Sequence, residues 1–525
     1  MTARPDNEKR IVYDLLEWIA RFAPDAASAQ QAFDTAQAKR PEWRPSDHPD
    51  LLMWSGPAGW LPQQRINPDE LHAKLEKDPA RAIEQLIILP EWGQSDPGEM
   101  SRDDALNSLS ATVDTHPIDG VKAIDLLIGP DAPADPTTRQ RAAQAVLSAR
   151  TDAEIDDVLC DAITTRLDRI WTAGSKEWTL GSGITGSGLG WLDHAFNHWG
   201  GQIARVALQL VDFEYRKAGD GWAGLPESLT TVMARMVNGS DYGSAMAQAI
   251  LAARVRYLFD VDEQWCRSNI MPLLSPDAGE DRAVRCWDAY LAAGATNQAM
   301  LEAGQLDYYL SMTSRLEQIS EHSRQNFYQH LAAIALFSGI NPIDQGWLNR
   351  FTATATVKAR IHWIQAITSD LTELSGDAAD AQWNNWMRTY WENRLNSTPN
   401  AITDDKAATL TSWAFCLDSR FSEAVELARQ HPAPADRAES NLGWTLGRIH
   451  YHSENTDHVE AHPEEAATLL THILSDAKAF PPQGQSILRY RLDEMVSELL
   501  NKLDPKQSLP LRGEAVRLGL RTIAG

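Results

Sequence analysis

Two histidines four residues apart, His194 and His198, have a spacing that suits metal binding. On a helix, side chains at positions i and i+4 lie on one face, so the two imidazoles could share a Zn²⁺ ion. The pair lacks the Glu of an H-E-x-x-H motif, and Trp191, Phe196 and Trp199 lie around it in the sequence. A structural role in an aromatic helix is the interpretation we favour, with a metal site as the alternative.

A second group of histidines, with acidic residues between them, lies near the C-terminus. It comprises His450, His452, His458 and His462, with Glu454, Asp457 and Glu460. The spacing fits no compact tetrahedral zinc signature. We interpret the segment as a polar loop before a helix that begins at Pro463, and adventitious metal binding stays open. The sequence thus predicts neither a metal site nor a cofactor.

A glycine-rich stretch, GSGITGSGLG, contains Gly181-x-Gly183-x-x-Gly186, which formally matches the dinucleotide-binding fingerprint. That fingerprint needs a buried strand before it and a βαβ unit around it. Here the preceding KEWTL is short and polar, and helical patterns follow. No Lys follows Gly186, so the stretch is not a phosphate-binding P-loop. We expect a connection between domains.

Carboxylates are plentiful in the middle of the chain. The candidates for paired catalysis are Asp212, Glu214, Asp260, Asp262 and Glu263. Two such acids facing a Trp-lined cleft would suit glycoside hydrolysis in an α/α toroid. There is no G-x-S-x-G elbow, and no cysteine lies in a recognisable protease context. No residue is therefore assigned as catalytic, and a helical hydrolase with paired carboxylates is the alternative function.

Three of the 19 tryptophans lie close together in WNNWMRTYWENRL. Trp383, Trp386 and Trp391 would share a broad helix face with Met387. Core packing between helices is the default interpretation. If part of this face is exposed, it is a binding site for a protein partner, because Trp is enriched at interface hot spots.

The elements that must position these residues are helices. Near the N-terminus, Ile11, Leu15, Trp18, Ile19 and Phe22 recur at spacings typical of an amphipathic helix. Further helices are predicted at about 136–150, 152–172, 190–217, 240–258, 280–293, 321–338, 354–373, 380–396, 403–429, 463–477 and 484–503. Strand patterns are nearly absent. The predicted fold class is all-α.

A weak internal repeat favours a solenoid. A polar residue followed by Pro opens three similar segments, at Asp78-Pro79, His116-Pro117 and His462-Pro463. Proline suits the first helical turn, where its missing N–H would be unpaired anyway. We therefore predict a HEAT/TPR-like helical-repeat solenoid, with a compact multi-helix array as the alternative. The predicted domains are N-terminal helical hairpins at 1–172, a Gly-rich connection at 173–190, a central helical region at 191–430 and C-terminal helical repeats at 431–525.

Charge and hydropathy restrict the partners. With 72 acidic against 48 basic side chains, the formal charge is -24, which repels nucleic-acid phosphates. Broad contact with nucleic acid is therefore not expected. The N-terminus lacks an apolar signal region, and no apolar stretch approaches the ~20 residues that span a bilayer. We expect a cytoplasmic protein without membrane contact.

Two stretches in the second half resemble a known helical region. LDHAFNHWGGQIARVALQLVD is similar to its N-H-x-x-G helix, and RVRYLFDVDEQWCRSNIMPLLS to its L-F-x-x-D-x-x-W segment, which ends in P-L. The matching positions are Asn197, His198 and Gly201, then Leu258, Phe259, Asp262, Trp265, Pro272 and Leu273. This uncharacterised region lies at the C-terminus of large bacterial anti-phage defence proteins, often behind a sirtuin-type NAD-hydrolysing domain.

The resemblance implies a role in prokaryotic anti-phage defence. Because no Rossmann-like effector precedes the helices in this sequence, we expect the effector to be encoded separately, as a neighbouring gene product. The expected function is a non-enzymatic helical scaffold or sensor that binds protein partners, with a phage product as its possible trigger. Asn197 and His198, together with the three tryptophans of the WNNWMRTYWENRL segment, are the candidate binding residues.

Overall fold

The computed structural model of the chain describes residues 16, 27–39, 66–90, 100–116, 119, 123, 125–126, 157–174, 190–431, 458–475 and 486–520. All regular secondary structure in these residues is helical, and no strand occurs among them. The all-α prediction is therefore confirmed. None of these helices is long and apolar enough to cross a lipid bilayer.

Helices occur in every part of the chain that the structure describes. The N-terminal helices are α1 (Ala27–Lys39), α2 (Pro68–Lys77), α3 (Pro79–Ile87), α4 (Arg102–Thr115) and α5 (Asp157–Gly174). The central helices are α6 (Trp191–Phe196), α7 (Trp199–Ala218), α8 (Glu227–Asn238), α9 (Tyr242–Ala253), α10 (Val255–Val261), α11 (Glu263–Asn269), α12 (Glu280–Ala293), α13 (Gln298–Met300), α14 (Leu306–Met312), α15 (Glu321–Phe337), α16 (Trp347–Thr354), α17 (Val357–Leu371), α18 (Gly376–Gln382), α19 (Arg388–Leu395), α20 (Asp404–Thr411) and α21 (Phe421–Ala428). The C-terminal helices are α22 (His458–Ala461), α23 (Pro463–Leu474), α24 (Ser486–Lys502) and α25 (Leu509–Arg517). Short 3₁₀ segments occupy Gly219–Gly221, Met271–Leu274, Pro276–Ala278, Thr313–Gln318 and Ala414–Cys416, and π-helical turns occupy Leu301–Gln305 and Trp383–Met387.

The chain divides into two compact units. The smaller unit comprises Met1–Ile66 and Leu89–Ala105, and the larger unit comprises Asn67–Ile88 and Leu106–Gly525. Within the smaller unit, Ser101 caps α4, because its Oγ accepts a hydrogen bond from the N–H of Asp104 at 3.2 Å. The domain boundaries that the sequence predicts at 172, 190 and 430 all fall inside the larger unit.

Proline opens helices where the repeat pattern predicts it. α3 begins at Pro79, and the Asp78 side chain caps it by accepting the N–H of Arg81 at 3.1 Å. α23 begins at Pro463. The missing proline N–H costs nothing in the first turn, where no intrahelical acceptor precedes it. Pro117, which belongs to the remaining copy of the pattern, lies outside the described residues.

A series of helices packs one upon the next through the larger unit. The series runs α7, α9, α12, α15, α17, α20, α21, α23 and α25, and each member contacts the following one. Other helices attach to its members, as α6 and α8 do to α9. Such a succession of nearest-neighbour contacts is typical of helical-repeat proteins. The larger unit is therefore a helical array that grows by stacking.

Aromatic rings fill the interior of this array around α17 and α19. The indoles of Trp363, Trp386 and Trp413 are 0% exposed, and the centroids of Trp386 and Trp413 lie 5.8 Å apart, edge to face. The Tyr390 ring lies 5.7 Å from that of Trp363 and 5.8 Å from that of Trp413. Since each buried aromatic side chain removes about 150–250 Å² from water, this cluster is a main source of stability in the array.

Candidate functional site

Asn197 and His198 form the turn between α6 and α7. Asn197 Nδ2 donates a hydrogen bond to the carbonyl oxygen of Asp193 at 2.9 Å, at the end of α6. His198 is the N-cap of α7, and its Nδ1 accepts a hydrogen bond from the N–H of Gly200 at 3.0 Å. The two residues therefore end one helix and begin the next.

Burial keeps the His198 imidazole neutral, as an accepting Nδ1 requires. It lowers the pKa of His198 to about 4, although the Asp241 carboxylate acts in the opposite direction. The His198 ring packs edge-on against Tyr242, with the centroids 5.0 Å apart. His194 instead lies on α6, where its ring meets Trp191 at 6.2 Å. Because the turn separates the two histidines, the continuous helix that would point both at one metal ion is not formed.

Two glycines set the packing of α7 next to this turn. A Cβ on Gly200 would lie 2.2 Å from the carbonyl oxygen of Gly243 in α9. A Cβ on Gly201 would lie 1.9 Å from the carbonyl oxygen of Ala195 in α6. Both neighbours are backbone atoms, which cannot move aside as the end of a flexible side chain can. The N-H-x-x-G segment thus builds a helix turn and a close helix contact.

The second stretch singled out in the sequence forms the corner between α10 and α11. Asp262 caps α11, with Oδ1 accepting the N–H of Trp265 at 2.9 Å. Its Oδ2 accepts the N–H of Leu225 at 3.1 Å, which ties the preceding loop to the corner. Trp222 Nε1 donates to the carbonyl oxygen of Val261 at 2.8 Å in the same place. The apolar positions Leu258, Phe259 and Leu273 are buried. This motif is also architectural.

An open cleft of about 340 Å³ lies near the α6–α7 turn, where α8 ends and α9 and α12 begin. It is lined by Gly239, Ser240, Asp241, Ala245, Gln248, Gly279, Asp281, Arg282 and Arg285. The Asp241 carboxylate is already engaged as the cap of α9, since it accepts hydrogen bonds from the N–H and Oγ of Ser244 at 2.9 and 2.7 Å. Asp281 is exposed at the cleft.

Two arginines one helical turn apart on α12 form part of the cleft wall. Arg282 Nη2 donates to the carbonyl oxygen of Gly239 at 3.3 Å. The Arg285 guanidinium lies over the Trp191 ring, 5.6 Å from its centroid. Neither arginine is ion-paired with a carboxylate within the described ranges, and Arg285 Nε has no hydrogen-bond partner there. Gly279 is the N-cap of α12 and supplies no capping side chain, so the first N–H groups of the helix also add positive potential here.

A buried glutamine completes the cleft. Gln248 is 1% exposed, and its Nε2 donates to the carbonyl oxygens of Val237 and Gly239, both at 2.9 Å. Its Oε1 has no hydrogen-bond partner among the residues that the structure describes. The cleft wall therefore combines two arginines with the carboxylates of Asp241 and Asp281 and the buried amide oxygen of Gln248.

The three tryptophans considered as a partner face are buried. Trp383, Trp386 and Trp391 are each 0% exposed. The rings of Trp383 and Trp391 pack edge to face at 5.9 Å, and Trp391 also contacts Trp413 at 6.2 Å. The exposed face on which the partner-site interpretation depended is absent from this helix, because the surrounding helices cover it. These indoles belong to the core.

The acids considered for catalysis each have a separate contact, and none lines the cleft. Asp212 pairs with Arg216, Glu214 accepts the thiol of Cys160, Asp260 accepts Asn297 Nδ2, and Glu263 pairs with Arg267. Asp262 is the cap of α11. Within the described ranges, no three His, Cys, Asp or Glu side chains are grouped to hold a metal ion.

Some sequence predictions fall outside the described residues, namely the Gly181-x-Gly183-x-x-Gly186 stretch and the histidines His450 and His452. His458 is described, and its Nε2 donates to the carbonyl oxygen of Phe415 at 3.1 Å while its ring stacks on Phe421 at 4.4 Å. His462 precedes α23 as its N-cap. The described members of this histidine group therefore occupy packing and capping positions.

Sequence reasoning missed the cleft residues Arg282, Arg285 and Gln248. The two arginines lie on α12 and Gln248 lies on α9, so one sequence does not show that they meet. One feature of the sequence could have indicated the pair. The two arginines are three residues apart and follow shortly after Gly279, so both lie on one face of the first turns of α12.

Comparison with known proteins gives one match. A family model described as a domain of unknown function, DUF4020, matches residues 342–479. No curated protein matches the chain, and no solved structure does. The matched segment contains α16 to α23 and the aromatic core around Trp413, whereas the cleft lies before it.

Proposed function

We propose that this chain is a non-enzymatic helical scaffold or sensor of a prokaryotic anti-phage defence system, acting through contacts with a separately encoded effector. The resemblance around Asn197, His198 and Asp262 supports the defence context. A stack of helices also offers an extended surface for partner proteins. The chemistry of the cleft between α9 and α12 is the observation that carries the proposal.

The cleft has the features of a protein-binding hot spot. Arg285 is held over the face of Trp191, which reduces the entropy that the guanidinium would lose on binding. Arginine and tryptophan are the residue types that dominate interface energetics. With Arg282 beside it and no carboxylate of the described chain paired to either, an acidic side chain of a partner would complete the site.

In this proposal, the scaffold responds to its trigger by differential binding. A phage product that binds one arrangement of the helical array more tightly than another shifts the population toward it. The effector then meets a changed surface. Broad contact with nucleic acid remains disfavoured, because a net charge of -24 repels phosphates.

The test is capture of partners by the tagged, full-length chain from its native host, with and without phage challenge. The double variant R282A/R285A should reduce the recovery of a stoichiometric effector at least about tenfold, as expected for hot-spot arginines. R267A is the matched control, because Arg267 is an exposed arginine on α11 that is already paired with Glu263 at 3.2 Å. Partnerless wild-type protein in both conditions would overturn the scaffold proposal. Equal losses of effector recovery in the double variant and in R267A would show that the cleft is not the binding surface.

A further inference from the structure

Three cationic side chains are buried together in the array. Arg360 of α17 is 7% exposed, and Arg394 of α19 and Lys406 of α20 are each 0% exposed. In the described part of the chain, no carboxylate is ion-paired with any of them. Taking a cation out of water without a counter-charge is among the most unfavourable steps in folding.

Backbone carbonyls hold the two guanidiniums in one network. Arg360 Nη1 donates to the carbonyl oxygen of Thr352 at 2.7 Å, and Asn400 Nδ2 donates to the same oxygen at 3.2 Å. Arg394 Nη2 in turn donates to Asn400 Oδ1 at 2.9 Å, while its Nη1 donates to the carbonyl oxygen of Thr398 at the same distance. These contacts fix the positions of both arginines.

Three nitrogen donors of this group make no hydrogen bond to the described residues. Arg360 Nε, Arg394 Nε and Lys406 Nζ are buried and have no hydrogen-bond partner among the described residues. Lys406 Nζ lies 5.4 Å from the centroid of the Tyr390 ring, a contact that stabilises a cation only in part. The group therefore combines two guanidinium groups and a lysine amine, each with a donor atom that has no hydrogen-bond partner among the described residues.

Electrostatics within the group are unfavourable. Burial, together with repulsion by Arg394 and Arg360, lowers the pKa of Lys406 to about 6. A single anion that contacted all three side chains would offset both the desolvation and the repulsion, because charge-assisted hydrogen bonds are strongest where water is excluded.

We propose that Arg360, Arg394 and Lys406 form an interior binding site for one small oxyanion of the phosphate or sulfate class. Guanidinium groups match the geometry of such oxyanions, and the lysine adds a compact point charge. The site lies in the segment that the DUF4020 model matches, away from the cleft, and does not depend on the scaffold proposal.

The test measures thermal unfolding of the full-length chain at pH 7 while inorganic phosphate is titrated at constant ionic strength. For the wild type, the unfolding midpoint should rise and saturate at millimolar phosphate or below, as for any ligand that binds only the folded state. Calorimetric titration of phosphate should give one site per chain. K406M should bind phosphate at least about tenfold more weakly, because it removes a charge-assisted contact.

The control is K358M, an exposed lysine on the same helix as Arg360. It should keep the response of the wild type. Without phosphate, K406M should be at least as stable as the wild type, since it removes a buried amine that has no hydrogen-bond partner among the described residues. If phosphate raised the unfolding midpoint equally in the wild type and K406M, the effect would be general stabilisation by salt, and the proposal would be overturned. No response at all in the wild type would overturn it as well.

Discussion

At the scale of single residues, a polar side chain can make two structural contacts at once. Asp262 is the example, because one carboxylate oxygen caps α11 and the other holds the N–H of Leu225. A buried N–H that loses its acceptor costs about 1–3 kcal/mol, in addition to about 1 kcal/mol for a lost cap.

We therefore expect D262A to lower the free energy of unfolding by about 2–4 kcal/mol in urea denaturation. D260A is the control, because Asp260 is exposed and, among the described residues, accepts a hydrogen bond from Asn297 Nδ2 alone, so its effect should stay within about 0.5 kcal/mol. Similar losses of unfolding free energy in D262A and D260A would contradict the role of Asp262 in holding the loop to α11.

Buried histidines make the fold sensitive to acid. His330 Nδ1 lies 2.7 Å from the Tyr309 hydroxyl, within hydrogen-bond distance. Burial lowers the pKa of His330 to about 4, as it does for His198. Between about pH 6.5 and pH 4, the unfolded chain then binds more protons than the folded chain, so the free energy of unfolding falls as the pH is lowered.

For His330 alone, this loss amounts to up to about 3 kcal/mol and is complete below pH 4. H330Q should therefore lose about that much less stability than the wild type between pH 6.5 and pH 4. Urea denaturation at a series of pH values checks this. Parallel profiles for the two proteins would show that the fold does not lower the pKa of His330.

At the scale of elements, two helical glycines should respond to alanine in opposite directions. In G200A the new Cβ would lie 2.2 Å from the Gly243 carbonyl oxygen, so α7 and α9 must separate, at a cost of about 1–3 kcal/mol. In G513A the Cβ would meet no atom within 4 Å, and the higher helix propensity of alanine should stabilise α25 by up to about 1 kcal/mol. Thermal unfolding compares them, and destabilisation of both variants to the same degree would refute the close contact.

Periodicity predicted single helices well but not their interruptions. The segment 280–293 coincides with α12 and 321–338 with α15, because both carry an unbroken apolar face between clear start and stop residues. The predicted helix 190–217 is instead divided at Asn197-His198. Its apolar pattern continues across the turn, and the cause of the break, a close approach to α6 and α9, is a tertiary contact.

The candidate site was less predictable than the fold. The sequence singled out His198 and Asn197 as candidate binding residues, and in the structure they end one helix and begin the next. The Arg282 and Arg285 pair was not recognised, because its partners in the cleft come from helices distant in sequence. An aromatic run such as Trp383 to Trp391 gives the same pattern whether it is buried or exposed.

At the scale of the whole molecule, a stack of helices should unfold in parts. α25 is the last member of the series and contacts α23 and α24, whereas α15 lies between α12 and α17. When each element is stabilised mainly by its neighbours, an end loosens at a lower free energy than the middle.

L511A, at a fully buried position of α25, should therefore accelerate hydrogen exchange in α23 to α25 and leave α12 to α17 unchanged. L331A in α15 is the matched comparison and should accelerate exchange in α12 and α17 as well. Mass-spectrometric hydrogen exchange distinguishes the cases. Uniform acceleration by L511A along the described helices would mean that the array unfolds as one cooperative block.

The position of Arg285 over Trp191 also allows the cleft region to be followed by tryptophan fluorescence. Most indoles in the described ranges are shielded from solvent, but Trp191 is only half-buried and carries a cation over its face. Quenchers dissolved in water should lower the emission of Trp191 and leave the emission of the buried core tryptophans unchanged. The difference in fluorescence between the wild type and W191F would then isolate the signal of the indole beneath Arg285, so the chain carries its own reporter of what happens at this arginine.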